Sequence, residues 1–205
     1  MPLQLTLEDF MTPEQVRRLK AVARRAAEEA LRKGRKAPVR DWAILHVALD
    51  AGLRVSEIVN LRVGDLLLEP GQAALIVRRG KGGKTRSVHI GEALRRHLVE
   101  FLEWKCLVGE PTSEDAFLFL SPRGRPLTRQ AVWLMFKRYA RLAGLPERFT
   151  IHSCRHTYAS LLYRASRYNL RLVQKQLGHA SIRTTQVYAD VLAQDALEAV
   201  NGLPQ

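Results

Sequence analysis

The chain reads as a mainly α protein carrying a small three-stranded antiparallel β-sheet. Three observations predict this. Apolar residues recur at helical spacing over most of the length. Between residues 65 and 90 the pattern changes to three short strand-like runs. A glycine-rich turn, Gly80-Lys81-Gly82-Gly83, then joins two of those runs as a hairpin, since glycine tolerates the positive φ such turns need. At 205 residues, with 46% of them hydrophobic, the chain is long and apolar enough to bury a core. No internal repeat or low-complexity linker interrupts it, so one domain over 1–205 fits best.

The first helix is predicted over 12–34. Thr12 caps it, Pro13 suits its first turn and Gln15 completes a capping box. Val16, Leu19, Val22, Ala23, Ala26, Ala30 and Leu31 form its buried stripe. The opposite face, with Arg17, Arg18, Lys20, Arg24, Arg25, Arg32 and Lys33, reads as solvated. A basic link, Lys33 to Arg40, leads to a second helix from Asp41 to Ala51, stopped by Gly52, and Val55 to Leu61 form a short third. Asp65 to Leu68, Ala73 to Arg79 and Thr85 to Ile90 are the three strands. A helix over Gly91 to Lys105 buries Leu94, Leu98, Phe101 and Leu102. Another, capped by Thr128 and stopped by Gly144, includes Val132, Phe136 and Leu142. Helices at 154–165, 170–177 and 181–187 and an amphipathic segment from Val191 to Val200 complete the chain.

The charge narrows the function. Lys and Arg number 33 against 20 Asp and Glu, a formal charge of +13 with a pI near 10.4. Such an excess attracts a polyanion, most commonly DNA or RNA; a ribosome-associated or merely arginine-rich thermophilic protein would carry it too. No apolar run approaches the ~18 residues that span a bilayer, and the N-terminus has no signal-peptide pattern, so a cytoplasmic protein with no membrane partner is expected. Cys106 and Cys154 are too few for a disulfide scaffold, and Cys106 is expected to pack on its helix. His152, Cys154 and His156 match no closed zinc spacing. No metal or cofactor is therefore expected.

Four segments combine unusual residues: Ala51-Gly-Leu-Arg-Val-Ser-Glu57, Gly80-Lys-Gly-Gly-Lys-Thr-Arg86, His152-Ser-Cys-Arg-His156, and Leu177-Gly-His179 followed by Thr184-Thr-Gln-Val-Tyr188. Each has a bland reading by itself. Arg54 could be a surface ion pair with Glu57, the glycines only a turn, the histidines core residues and Tyr188 a packing aromatic. The lysine-bearing turn is not a P-loop, because its spacing is wrong and no helix follows. Together they form a set suited to phosphodiester cleavage, which needs a nucleophile, a proton donor for the leaving oxygen and cations for the non-bridging oxygens. Tyr188 offers a phenol of free pKa ~10. Arg54 and Arg155 offer guanidiniums that fork onto phosphate. Lys81, at the hairpin tip, could protonate the leaving oxygen. His152 and His179 could donate hydrogen bonds or accept the phenol proton. No carboxylate cluster points to bound magnesium.

In their order and spacing these segments resemble the tyrosine recombinase (phage integrase) family, particularly its Xer-like and integron-integrase-like branch. The likeness runs from about Leu5 to Val191 and includes Phe119-Leu-Ser-Pro-Arg-Gly-Arg-Pro-Leu-Thr128. It implies the tyrosine recombinase catalytic-domain fold and a site-specific recombinase that cuts and rejoins DNA through a 3′-phosphotyrosyl link, without metal or ATP. By the resemblance, Arg54 and Arg155 clamp the scissile phosphate and Lys81 is the general acid, with Lys84 as competitor. His152 and His179 assist, Tyr188 attacks, and Glu57 orients Arg54. Relatives usually carry a further N-terminal helical domain, and this chain begins where the catalytic domain would begin. It is either part of a longer chain or resembles recombinases that are a bare catalytic domain, such as fimbrial-switch invertases; Met1 favours the second. The resemblance also implies double-stranded DNA with a specific site as partner and a tetramer on DNA, joined through an exchanged C-terminal segment, here 192–203. A helix packed on its own domain is the equal alternative for that segment. Two other functions stand behind the recombinase: a type IB topoisomerase using a similar pocket, and a DNA-binding module without catalysis.

Overall fold

A computed structural model describes residues 7–78 and 85–178, together with Thr185 and Val200. Helix α1 (Pro13–Arg32) opens on the expected capping box. The Gln15 N–H donates to Thr12 Oγ1 at 3.2 Å and the Thr12 N–H donates to Gln15 Oε1 at 2.8 Å, satisfying amides that a helix start otherwise leaves unpaired. The helix buries Leu19, Ala23, Ala27 and Ala30. Leu31 is exposed instead, because it lies about 100° around the helix from Ala30.

Helix α2 (Lys36–Asp50) begins at Lys36 rather than Asp41, which shortens the basic link. Pro38 falls in its first turn, where a missing N–H costs nothing. From Val39 to Leu49 it is buried nearly all round, because α1, α4 (Glu92–Leu107) and α6 (Ile151–Ala165) all pack on it. The short α3 (Val55–Val59) ends before the expected Leu61. Strands β1 (Leu66–Leu67), β2 (Ala74–Val77) and β3 (Arg86–His89) form an antiparallel sheet in the order β1-β2-β3. Its register pairs Leu66 with Leu75, Ala74 with His89 and Val77 with Arg86. Asp65, expected in the first strand, lies in a 3-10 turn (Val63–Asp65), where its buried carboxylate accepts the Arg62 N–H and pairs with Arg78.

On α4 the buried stripe is Leu94, Leu98, Phe101 and Lys105. The lysine completes it because Glu110 binds its ammonium at 2.8 Å, so Cys106, expected to pack, is exposed. Helix α5 (Arg129–Leu142) starts at Thr128 as expected, the Thr128 side chain accepting from the Ala131 N–H. Val132 and Phe136 are buried and Leu142 is exposed. Helix α6 starts at Ile151, before the expected residue 154, with Thr150 as its cap. That earlier start puts His152 and Arg155 on one helix, three residues apart, so they share a face. Helix α7 (Leu170–Leu177) has the expected bounds, running from the Asn169 cap to Gly178 at φ +65. The expected 181–187 helix and the 191–200 segment lie outside the described residues, apart from Thr185 and Val200. Among the described residues no helix is long and apolar enough to cross a membrane.

Where α2 meets α4, Trp42 stacks on His46 and His97 at 4.7 and 4.9 Å, and the two Nδ1 atoms lie 2.8 Å apart. One ring must donate there and the other accept, which requires a neutral imidazole. Burial, and then the neighbouring His46, lower the His97 pKa to about 4. On α6, burial followed by His152 and Arg155 lowers His156 to about 4 as well. The unfolded chain takes up these protons near pH 6.5, before the folded chain does. Their contribution to stability is therefore complete above pH 6.5 and is lost as pH falls towards 4. At about 1.4 kcal/mol per pKa unit, each should remove about 3 kcal/mol over that window. Thermal melts across pH 7 to 4 measure this; His97→Gln should flatten the slope, and an unchanged slope would refute the assignment.

Candidate active site

Glu57 is the hub of the site. It is the third residue of α3, and its side chain turns back on Arg54, which caps that helix. The Arg54 backbone N–H donates to Glu57 Oε2 at 2.8 Å and Arg54 Nη1 donates to Oε1 at 2.9 Å. Arg86, the first residue of β3, forks onto the same carboxylate, Nη1 to Oε1 at 2.8 Å and Nη2 to Oε2 at 2.9 Å. Nη1 of Arg155, from α6, lies 3.9 Å from Oε2. Burial pushes the Glu57 pKa up, but hydrogen bonds and charge from Arg86 and Arg54 outweigh it and hold the group at about 2. Three guanidiniums around one carboxylate leave surplus positive charge, the condition for holding a phosphate.

Arg155 is only 5% exposed. Its Nη1 donates to the Gly52 carbonyl at 2.6 Å and its Nη2 to the Leu177 carbonyl at 2.8 Å. It therefore ties the start of the Arg54 loop to the end of α7. Arg54 is more open, its side chain 30% exposed, so it can meet a ligand from solvent. His152, in the first turn of α6, is exposed. Partial burial, then the charges of Arg155 and Arg54, hold its pKa below the usual histidine range, which favours the neutral imidazole at pH 7.

Two glycines allow this close assembly. Gly52 has φ +61, and a Cβ there would lie 2.9 Å from Tyr158 Cγ and Cε1 and closer still to Cδ1. Gly52→Ala should therefore destabilise the fold by about 2–4 kcal/mol, combining left-handed strain with overpacking. A urea titration measures it, and a loss below about 0.5 kcal/mol would show that the Tyr158 ring moves aside freely. Gly178, at φ +65, has Arg86 Nε 2.6 Å from its would-be Cβ.

The structure thus gathers Arg54, Glu57, His152 and Arg155 in one place. Lys81 and its competitor Lys84, His179, Tyr188 and the 192–203 segment (Val200 aside) lie outside the described residues. Cys154, between His152 and His156, is fully buried and burial pushes its thiol up. His156 packs edge-on to Phe10 at 6.4 Å. Among the described residues no group of three His, Cys, Asp or Glu side chains could hold a metal ion.

Sequence reasoning missed two features. One is the Arg86 fork, since nothing local distinguishes Arg86 from other strand arginines. The other is a cleft of about 460 Å³ beside His152, lined by Val55, Arg129, Gln130, Trp133 and Ile151. Arg129, Gln130 and Trp133 are exposed on α5, and their placement after the Thr128 cap was a signal that could have found them. A second cleft, of about 760 Å³, runs from Arg54 past Asn60 to Arg62 and Arg78.

Fold and site together set three guanidiniums around one buried carboxylate in a mainly helical domain, and sequence comparison assigns its family. The profile described as Phage integrase family matches residues 9–195, so the chain belongs to the phage integrase family. It is 37% identical over 187 residues to a protein named tyrosine recombinase XerD from Oceanobacillus iheyensis, covering 90% of this chain and 58% of that protein. It is 34% identical over 198 residues to one named tyrosine recombinase XerA from Pyrococcus furiosus, covering 95% and 62%. The chain thus spans roughly three fifths of these relatives. Among solved structures, a XerH site-specific recombinase bound to its palindromic difH substrate in a post-cleavage complex superposes with a TM-score of 0.76. That pair shares 27% identity over 94% of this chain and 52% of that one. The fold is accordingly that of tyrosine recombinase catalytic domains.

Proposed function

We propose that the chain is the catalytic domain of a site-specific DNA recombinase that cleaves and rejoins strands through Tyr188. One observation carries this reading: two arginines from separate elements, Arg54 and Arg155, converge on Glu57 with surplus positive charge. The names of the relatives, and the DNA substrate in the XerH complex, support it.

In this reading Arg54 and Arg155 bind the non-bridging oxygens of the scissile phosphate, with His152 and His179 donating further hydrogen bonds. The Tyr188 oxygen forms a bond to phosphorus and the bond from phosphorus to the 5′ oxygen breaks. Lys81 gives its proton to that oxygen, and the phenol proton passes to a nearby base such as a histidine. The 3′-phosphotyrosyl link conserves the bond energy, and a second strand's 5′ hydroxyl reverses the attack, so no ATP is needed. Duplex DNA would lie across both clefts, with Arg129, Gln130 and Trp133 facing its groove. A tetramer on DNA linked through residues 192–203 completes the proposal, and work on genomic or plasmid DNA would place it in the cytoplasm.

The test is a nicked suicide duplex carrying a candidate site, since loss of the short 5′ fragment traps the intermediate. A protein–DNA adduct that survives a denaturing gel supports the reading. Relaxation of supercoiled plasmid without partner sites would instead indicate a topoisomerase. DNA binding with no adduct on any duplex would indicate a non-catalytic binding module.

A further inference from the structure

Arg86 has no part in the chemistry outlined above, yet it makes the most complete contact in the site. Its fork occupies both oxygens of Glu57, and its side chain is 15% exposed, too enclosed for an ordinary surface pair. It opens β3, opposite Val77, five residues after Lys81 in the sequence. Its arm also lies against Gly178, where any Cβ would meet Arg86 Cδ and Nε. Beside it, the Gln176 side chain and the His89 backbone exchange two hydrogen bonds, Nε2 to the carbonyl at 3.1 Å and the amide to Oε1 at 3.0 Å. The strand and the end of α7 are therefore held in register around Arg86.

We propose that Arg86 is a positioning residue for the phosphate clamp, acting through Glu57. The reason is a competition for one carboxylate. Glu57 is nearly buried, its side chain 8% exposed, and a buried carboxylate must have cationic partners. With Arg86 satisfying both oxygens, Arg54 contributes only one side-chain N–H, and Arg155 stays 3.9 Å away with its near bonds on Gly52 and Leu177. Without Arg86, the carboxylate would draw both of those guanidiniums inward, away from an incoming phosphate. Arg86 thus acts through Glu57, keeping that carboxylate from drawing on Arg54 and Arg155.

This inference rests on the proposed function only for its cleavage readout. The full chain and its Arg86→Gln, Arg86→Lys, Glu57→Gln and double Glu57→Gln/Arg86→Gln variants are compared in single-turnover cleavage of the nicked duplex. Arg86→Gln should slow adduct formation about 100-fold while DNA affinity stays within about threefold, because most of that affinity comes from other phosphates. Arg86→Lys should recover about tenfold of the loss, since it restores charge without the fork. In the Glu57→Gln background, Arg86→Gln should cost less than about twofold, as expected for two residues acting as one unit. Losses that multiply in the double variant, or an Arg86→Gln protein that cleaves at the parent rate, would overturn the proposal. Each variant's melting temperature separates a folding defect from a positioning one: should Arg86→Gln fail to fold, Arg86→Lys and its combination with Glu57→Gln carry the same comparison. If the parent protein forms no adduct, the recombinase reading fails, and orthovanadate affinity decides the Arg86 question. Vanadate binding weakened at least about fivefold by Arg86→Gln, and no further in the double variant, would sustain the positioning role; unchanged binding would end it.

Discussion

Arg155→Ala is expected to lower both stability and cleavage, each by a large factor. In the folded protein the guanidinium is 5% exposed and donates to the carbonyls of Gly52 and Leu177. Removing it leaves two buried acceptors and a cavity, and takes one cation from the vicinity of Glu57. The cost should be about 3–5 kcal/mol, or a fall in melting temperature of roughly 10 °C for a domain of this size. Under the proposed function cleavage should drop by about a thousandfold or more, since a guanidinium that binds the non-bridging oxygens acts on charge that grows in the transition state. Arg155→Lys separates the two effects. It keeps a charge but cannot fork to carbonyls on two different elements, so it should remain catalytically poor even where it folds. Calorimetry and single-turnover kinetics on both variants make the comparison. A lysine variant that cleaves at the parent rate would mean that the charge alone matters and the fork does not.

Tyr188→Phe is expected to remove the covalent adduct entirely, because the variant lacks the oxygen that would bond to phosphorus. Its DNA affinity should stay within about threefold, the scale of losing at most one exchanged hydrogen bond. The adduct is read on a denaturing gel and the affinity by fluorescence anisotropy at fixed salt, since phosphate contacts make binding steeply salt-dependent. An adduct that persists in the phenylalanine variant would refute Tyr188 as nucleophile, and peptide mapping of the linked fragment would identify the group that replaces it. Against Arg155→Ala the contrast is sharp. One variant is defective in chemistry alone, and the other in both architecture and chemistry.

How much of this was legible beforehand depended on the range of the interaction. The capping box at Thr12, the 170–177 span of α7 and the three-strand meander are local patterns, and they were readable within a few residues. Element ends were less so. Pro38 was compatible with a helix start, yet α2 begins at Lys36 because burial against three neighbouring helices rewards the extra turn. The candidate site was legible as a set of residue types in order, and Arg54, Glu57, His152 and Arg155 do converge. Their partners were not legible, since Arg155 reaches carbonyls 103 and 22 residues away.

From its residues alone the chain declared a helical domain with a small sheet and a large excess of positive charge, and it offered an ordered set of residue types suited to phosphate chemistry. Periodicity, charge and spacing are one-dimensional quantities, and they survive without coordinates. Folding settled which arginine serves which partner. Arg86 proved to neutralise Glu57, Arg155 to join Gly52 to Leu177, and Lys105 to fill a core position that its neighbour Cys106 vacates. Those choices depend on distances of about 3 Å between groups far apart in sequence, and only packing can set them.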